Sequence, residues 1–183
     1  MKFLAILLTG TLAFSSPASA HHYEKLDKPH QDLLHTVEER GVEFFVNDMR
    51  YCDEDSDGFY STNRRLIICQ DNASLPGVEV EWTDNDLDTV RHEVHHFLQD
   101  CSFGGIKIDH TSTLLFNYGP DFTQFVAQSG LTMEEVRVIE RTYEKLGLSY
   151  VRIMMEIEAF AVARSITAEQ LKQKIDEVCV LTR

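Results

Sequence analysis

The sequence predicts an α+β protein with a small antiparallel sheet and a largely helical C-terminal half. Two observations predict this class. Short apolar runs bounded by turn-forming residues crowd into residues 42–69, as is typical of strands. From Thr83 onward, apolar residues instead recur at helical spacing behind N-terminal capping residues. Strands in one part of the chain and helices in another favour an α+β arrangement over alternating βα units.

One helix and the strands are predicted in the first half of the chain. Apolar residues recur at helical spacing between His30 and Arg40, and Gly41 ends this helix. The apolar run 42–46 follows as a strand. Residues 59–61 and 65–69 then form two strands of a hairpin or meander.

The second half is predicted to hold capped helices. Thr83 begins one that runs to about Asp100, and Thr132 begins one that ends near Gly147. Ser149 caps a helix that continues through Arg164. Thr167-Ala168-Glu169-Gln170 matches a capping box for the last helix.

Residues 1–20 are predicted to be a secretory signal peptide. They contain a basic Lys2, an apolar run from Phe3 to Phe14 and the small residues Ala18-Ser19-Ala20. The apolar run is too short, and too interrupted by Thr and Gly, for a membrane span. We therefore expect a secreted or periplasmic protein whose single domain covers residues 21–183 and that has no membrane contact after signal cleavage.

The net charge of −13 argues against a nucleic acid partner. An acidic surface repels phosphate backbones, and no basic cluster offsets it.

Four cysteines in a secreted chain favour two disulfides. We expect Cys52–Cys69 to close a local hairpin and Cys101–Cys179 to join the end of a helix to the C-terminal segment. The alternative is a four-cysteine zinc site, which is disfavoured because the close cysteine pairs of a zinc ribbon are missing.

The chain has one dense cluster of potential metal ligands, His92-Glu93-Val94-His95-His96. His92 and His96 lie one helical turn apart, so both rings can reach one metal ion. Glu93 lies to one side, where it can act as a general base. This is the HExxH pattern of zinc peptidases. His95 is expected to be a supporting or surface histidine.

The helix that carries this pattern has two faces. Val90, Val94, Phe97, Leu98 and Cys101 fall on an apolar arc that should face the core. His92, His95, His96 and Gln99 fall on the opposite arc, away from the core. A solvated polar helix face is the alternative interpretation.

A third metal ligand is expected in residues 154–161, where Glu156 and Glu158 interrupt an apolar helix. A carboxylate in such a run is costly unless it is paired or bound to metal. Together with the HExxH residues, Glu158-Ala159-Phe160 resembles the gluzincin-type zinc peptidases, whose second helix supplies a Glu followed by small and aromatic residues. The resemblance implies Glu158 as the third ligand, with Glu156 as the alternative. Val162 stands where thermolysin-like members carry an Asp.

The resemblance also implies a zincin-like fold and a mechanism. Zn²⁺ held by His92, His96 and Glu158 acidifies its bound water, and Glu93 takes the proton, so that a peptide or protein substrate is hydrolysed. Residues 65–69 are expected to be either the edge strand that pairs with the substrate or an ordinary core strand, which their composition favours at least as much. The candidates for stabilising the oxyanion are Tyr118, Tyr143, Tyr150 and His110.

Three other interpretations of the sequence concern a calcium loop, a metal-binding protein without catalysis and a di-iron helix bundle. Asp53, Asp55 and Asp57 match part of a calcium loop and predict at most weak Ca²⁺ binding, because Arg64 occupies the position of the bidentate Glu. A secreted protein that binds metal without catalysis would have no use for Glu93. A di-iron bundle is disfavoured because the chain has no second Glu-x-x-His.

Overall fold

The α+β class is confirmed. The computed structural model describes residues 23–53, 56–61, 63–102 and 120–179, and these contain three strands and six helices. The elements are α1 Lys28–Glu38, β1 Glu43–Val46, β2 Gly58–Ser61, β3 Arg65–Ile68, α2 Asp84–Ser102, α3 Pro120–Gln128, α4 Met133–Lys145, α5 Tyr150–Ser165 and α6 Ala168–Val178. The predicted signal peptide, Asp55, His110 and Tyr118 lie outside the described residues.

The sheet is mixed, so the prediction of an antiparallel sheet was wrong. Its strand order is β1-β3-β2, with β1 parallel and β2 antiparallel to β3. The physical reason is the composition of β3, whose Leu66, Ile67 and Ile68 are fully buried. A strand that is apolar on both faces is stable in the centre of a sheet, and the two less buried strands flank it. Residues 65–69 therefore do not form the predicted edge strand.

Local capping signals place most helix starts correctly. Thr132 and Thr167 each form the predicted capping box, with Glu135 and Gln170 as partners. Ahead of α2, Thr83 Oγ1 accepts the N–H of Asp86, whose carboxylate accepts the N–H of Thr83. Ser149 precedes α5 as expected, but its side chain makes no capping hydrogen bond. Helix α3 was not identified individually from the sequence.

Helix α2 lies at the centre of the fold, between two apolar clusters. Its predicted apolar arc packs into the core formed with α1, the sheet and α6. On the opposite side, α2 packs along α5, which in turn contacts α3 and α4. Both faces of α2 are therefore covered. The histidines lie on the side of α2 opposite the apolar arc, as expected, but α5 covers this side and buries them, so it is not a solvated polar face.

Both predicted disulfides are present. Cys52 pairs with Cys69 beside the β2–β3 hairpin, and Cys101 at the end of α2 pairs with Cys179 after α6. No described helix is long and apolar enough to cross a membrane.

Breaking either disulfide should destabilise the fold, and the Cys101–Cys179 bond should matter more. It spans 78 residues, whereas Cys52–Cys69 spans 17. Because a cross-link restricts the unfolded chain more when its loop is longer, we expect losses of about 4–5 and about 3 kcal/mol, respectively. Urea unfolding of the double Cys→Ala variant at each bond measures both values. A larger loss at Cys52–Cys69 would contradict this order.

Candidate metal centre

Three side chains from α2 and α5 point their donor atoms at one another. The Nε2 atoms of His92 and His96 lie 3.1 Å apart. Glu156 Oε2 lies 3.4 Å from each of these nitrogens. The three residues form a group that could hold a metal ion.

The donor triangle has the size of a tetrahedral metal site. Ligand atoms about 2.0–2.1 Å from a metal, arranged tetrahedrally, lie about 3.3–3.4 Å from one another. All three separations in the cluster are close to this value. Among the described residues this group supplies three donors to a tetrahedral site that takes four.

The packing of α5 against α2 holds the triangle together. The Phe160 ring lies edge-on to His92, with 4.4 Å between ring centroids, on the helical turn after Glu156. On α2, the residue before His92 is Arg91, and its Nε donates to the carbonyl oxygen of Ala163 on α5. The spacing of His92 and His96 is a local property of α2, whereas the position of Glu156 depends on this packing between the two helices.

Glu158, the predicted third ligand, lies in a different place. Its Oε2 atom is 3.0 Å from His95 Nε2 and accepts a hydrogen bond of 2.7 Å from Gln99 Nε2. Glu158 is completely buried. Two residues along a helix differ in direction by about 200°, so Glu156 and Glu158 cannot both face the histidine pair. Glu156, the sequence alternative, is the carboxylate that the structure groups with His92 and His96.

Glu93 lies beside the triangle without belonging to it. Its Oε1 atom is 3.9 Å from His92 Nε2, and its side chain is buried. The backbone N–H of Tyr60 in β2 donates to this carboxylate. The Tyr60 hydroxyl donates to Asp100 at 2.7 Å, which fixes β2 to α2 a second time. The strand therefore orients Glu93 next to the cluster.

A glycine lets β2 approach α2 this closely. A Cβ atom at Gly58 would lie 2.6 Å from the carbonyl oxygen of Ile67 and 2.9 Å from Cγ2 of Thr89. Both distances are shorter than real Cβ contacts, so any other residue would force the strand and the helix apart.

Burial and mutual charge set the ionisation of the cluster. Burial raises the pKa of Glu93. The nearby His92 and His96 lower this pKa, but by less than burial raises it. Burial alone would lower the pKa of His96, but the carboxylate of Glu156 overrides this effect and raises it to about 9. Burial opposes ionisation of Glu156, yet His96 and His92 hold its pKa far below the usual range. A metal ion that binds here must displace the His96 proton, so its affinity should fall as the pH falls.

A cleft of about 300 Å³ leads from the surface to His92 and Glu93. Tyr143 and Phe160 line it, together with Gly58 of β2. The Tyr143 hydroxyl donates to Glu156, and burial together with the charges of Glu156 and Glu93 raises its pKa, which keeps the phenol protonated.

The other predicted site residues that the structure describes lie outside the donor triangle. Tyr150 is exposed and does not line the cleft, so Tyr143 is the described oxyanion candidate that does. Asp57 lies in the cleft wall, and burial and the neighbouring Asp71 and Asp86 raise its pKa. Because Asp55 lies outside the described residues, the calcium loop stays a prediction.

Comparison with family models, curated sequences and solved structures found no match to this chain. The chemistry of the cluster must therefore be argued from its own geometry.

Proposed function

We propose that the protein is a secreted zinc metallopeptidase of gluzincin type with a zincin-like fold. The observation that carries this proposal is the His92–His96–Glu156 donor triangle with Glu93 beside it and an open cleft in front. Two imidazoles and one carboxylate form a donor set that catalytic zinc sites use. The two disulfides support export to an oxidising compartment.

The zinc ion would supply Lewis acidity, which polarises the scissile carbonyl and acidifies the attacking water. The protein's own residues would do the rest. Glu93 accepts the proton of that water and delivers it to the leaving amine, while the Tyr60 N–H keeps the carboxylate aligned. Burial raises the pKa of Glu93, which suits a group that must both accept and return a proton.

Tyr143 is the group we propose for stabilising negative charge on the substrate. Its phenol lies in the cleft with His92 and Glu93 and is kept protonated by the surrounding carboxylates. A hydroxyl that already donates to Glu156 can turn its hydrogen bond towards an oxyanion as charge develops there.

The substrate backbone is proposed to lie along β2. This strand occupies an edge of the sheet, and Gly58 at its start lines the cleft. An extended peptide can add to an exposed strand edge through main-chain hydrogen bonds. The central strand β3 has no free edge, so we propose that residues 58–61, and not residues 65–69, pair with the substrate.

A peptide-library digest tests the activity. The purified mature protein should cleave library peptides, lose this activity when a chelator removes the metal, and regain it when one equivalent of zinc per chain is added back. Mass spectrometry of the products locates the cleaved bonds. A zinc-loaded protein that cleaves nothing in the library would favour the alternative, a secreted protein that binds metal without catalysis.

A further inference from the structure

We infer that Gln99, Glu158 and His95 form a positioning network that fixes the tautomer of His96, so that its Nε2 lone pair is directed at the metal. The inference rests on the proposed metal site and assigns a role to buried polar residues that the chemistry itself does not use. None of the three is placed here as a metal ligand.

The network is a chain of short contacts between α2 and α5. His96 Nδ1 lies 2.8 Å from Gln99 Oε1. Gln99 Nε2 lies 2.7 Å from Glu158 Oε2 and 3.3 Å from the carbonyl oxygen of Met155. Gln99 and Glu158 are both 0% exposed, so water does not compete for these groups.

The direction of each hydrogen bond follows from what the groups can donate. The carboxylate of Glu158 and the carbonyl of Met155 are acceptors, so the amide nitrogen of Gln99 must face them. Reversing the amide would place its oxygen against two acceptors and leave buried groups unsatisfied, which is costly. The amide oxygen of Gln99 therefore faces His96.

This orientation decides which nitrogen of His96 carries the proton. Because Gln99 Oε1 only accepts, Nδ1 of His96 must be the N–H donor. A neutral imidazole has one N–H, so Nε2 keeps the lone pair. Nε2 is the atom that faces His92 and Glu156. Metal-binding histidines are commonly oriented by such a bond from the second ring nitrogen.

His95 holds the far end of the network. Its Nε2 lies 3.0 Å from Glu158 Oε2, and its side chain is 1% exposed. A buried carboxylate needs donors to offset its lost hydration. With His95 on one side and Gln99 on the other, the same oxygen of Glu158 accepts from both, which fixes it in place.

The other histidine of the HExxH pattern, His92, lacks this support. Nδ1 of His92 is buried and has no hydrogen-bond partner in the part of the chain that the structure describes. Its ring is held by contacts with Phe160 and His96 instead. The network therefore acts on one ligand, and its loss should affect His96 and not His92.

The test is nitrogen NMR of the metal-free protein, with the pH raised until the ring nitrogen shifts show that His96 is neutral. In the wild type, His96 should show the Nδ1–H tautomer. Glu158→Gln turns one of the two acceptors that face Gln99 into an amide that can also donate, so the orientation of Gln99 is less strongly fixed. The Met155 carbonyl still opposes reversal of Gln99, so His96 should shift partly towards the Nε2–H tautomer. Gln99→Met, which removes the acceptor from Nδ1, is a second route to the same change. Exposed Glu169 provides the control Glu169→Gln, which should change nothing.

Zinc affinity is the second readout. Competition with a chromophoric chelator should show binding about 10–100-fold weaker in Glu158→Gln and Gln99→Met, the range typical for residues that support a ligand. A residue that only stabilised the fold would lower the unfolding temperature without moving the tautomer. An Nε2–H tautomer in the wild type, or an unchanged tautomer in both variants, would overturn the inference. Wild-type protein that binds no zinc would defeat the proposed function instead, and the tautomer would still report on the network.

Discussion

Glu93→Gln should reduce peptide hydrolysis by about 10²–10⁴-fold, the usual contribution of a positioned proton-transfer group. The substitution preserves the size of the side chain but removes its ability to accept a proton. Glu93 lies outside the donor triangle, 3.9 Å from the nearest ligand nitrogen, so the variant should still bind one zinc per chain. Steady-state rates on a cleaved library peptide, together with zinc analysis of the same sample, measure both effects.

The matched control is Glu169→Gln, which makes the same chemical change at an exposed position on α6 and should keep full activity. Equal rates for Glu93→Gln and the wild type would rule out zinc catalysis through this motif. Loss of zinc together with activity in Glu93→Gln would instead mean that Glu93 is a ligand.

Removing any member of the donor triangle should weaken zinc binding by more than the roughly 10–100-fold expected for supporting residues. We expect this of His92→Ala, His96→Ala and Glu156→Gln, because each changes one of the three donors that the described part of the chain brings together. Activity should disappear with the metal. Chelator competition measures the affinities, and circular dichroism checks that each variant keeps its helices.

His35→Ala is the control for the histidine variants, because His35 is exposed on α1 and pairs with the exposed Glu39, away from the donor triangle. The comparison of Glu156→Gln with Glu158→Gln is the most discriminating one. Stronger zinc loss in Glu158→Gln than in Glu156→Gln would reverse the assignment made here.

The local part of the site could be predicted from the sequence because it depends on helix geometry alone. His92 and His96 lie one turn apart in any α-helix, and Glu93 always falls to one side of them. The same holds for the capping boxes at Thr132 and Thr167, whose partners lie three residues away.

The third donor could not be chosen in this way. Glu156 and Glu158 interrupt the same apolar run, and which of them faces α2 depends on how α5 is rotated about its axis. That rotation is set by long-range contacts such as those of Phe160 with His92 and of Arg91 with Ala163. One signal for the choice was present in the sequence. Gln99 and His95 lie on the same face of α2 as the ligands, and polar side chains buried there need a hydrogen-bonding partner. Glu158 is that partner, which leaves Glu156 for the histidine pair.

The parallel pairing of β1 with β3 also escaped prediction. The turn-forming residues between β2 and β3 indicate their hairpin, but no local signal shows that β3 is inserted between β1 and β2. The burial of Leu66, Ile67 and Ile68 on both faces explains the order only once the helices that cover the sheet are known.

The central claim is that one zinc ion lies between His92, His96 and Glu156. Anomalous diffraction at the zinc absorption edge, from crystals of the zinc-loaded mature protein, locates the metal directly. We expect one peak about 2.0–2.2 Å from Nε2 of both histidines and from a carboxylate oxygen of Glu156. A peak bound by Glu158, or zinc-loaded crystals whose peak lies away from these histidines, would contradict the account.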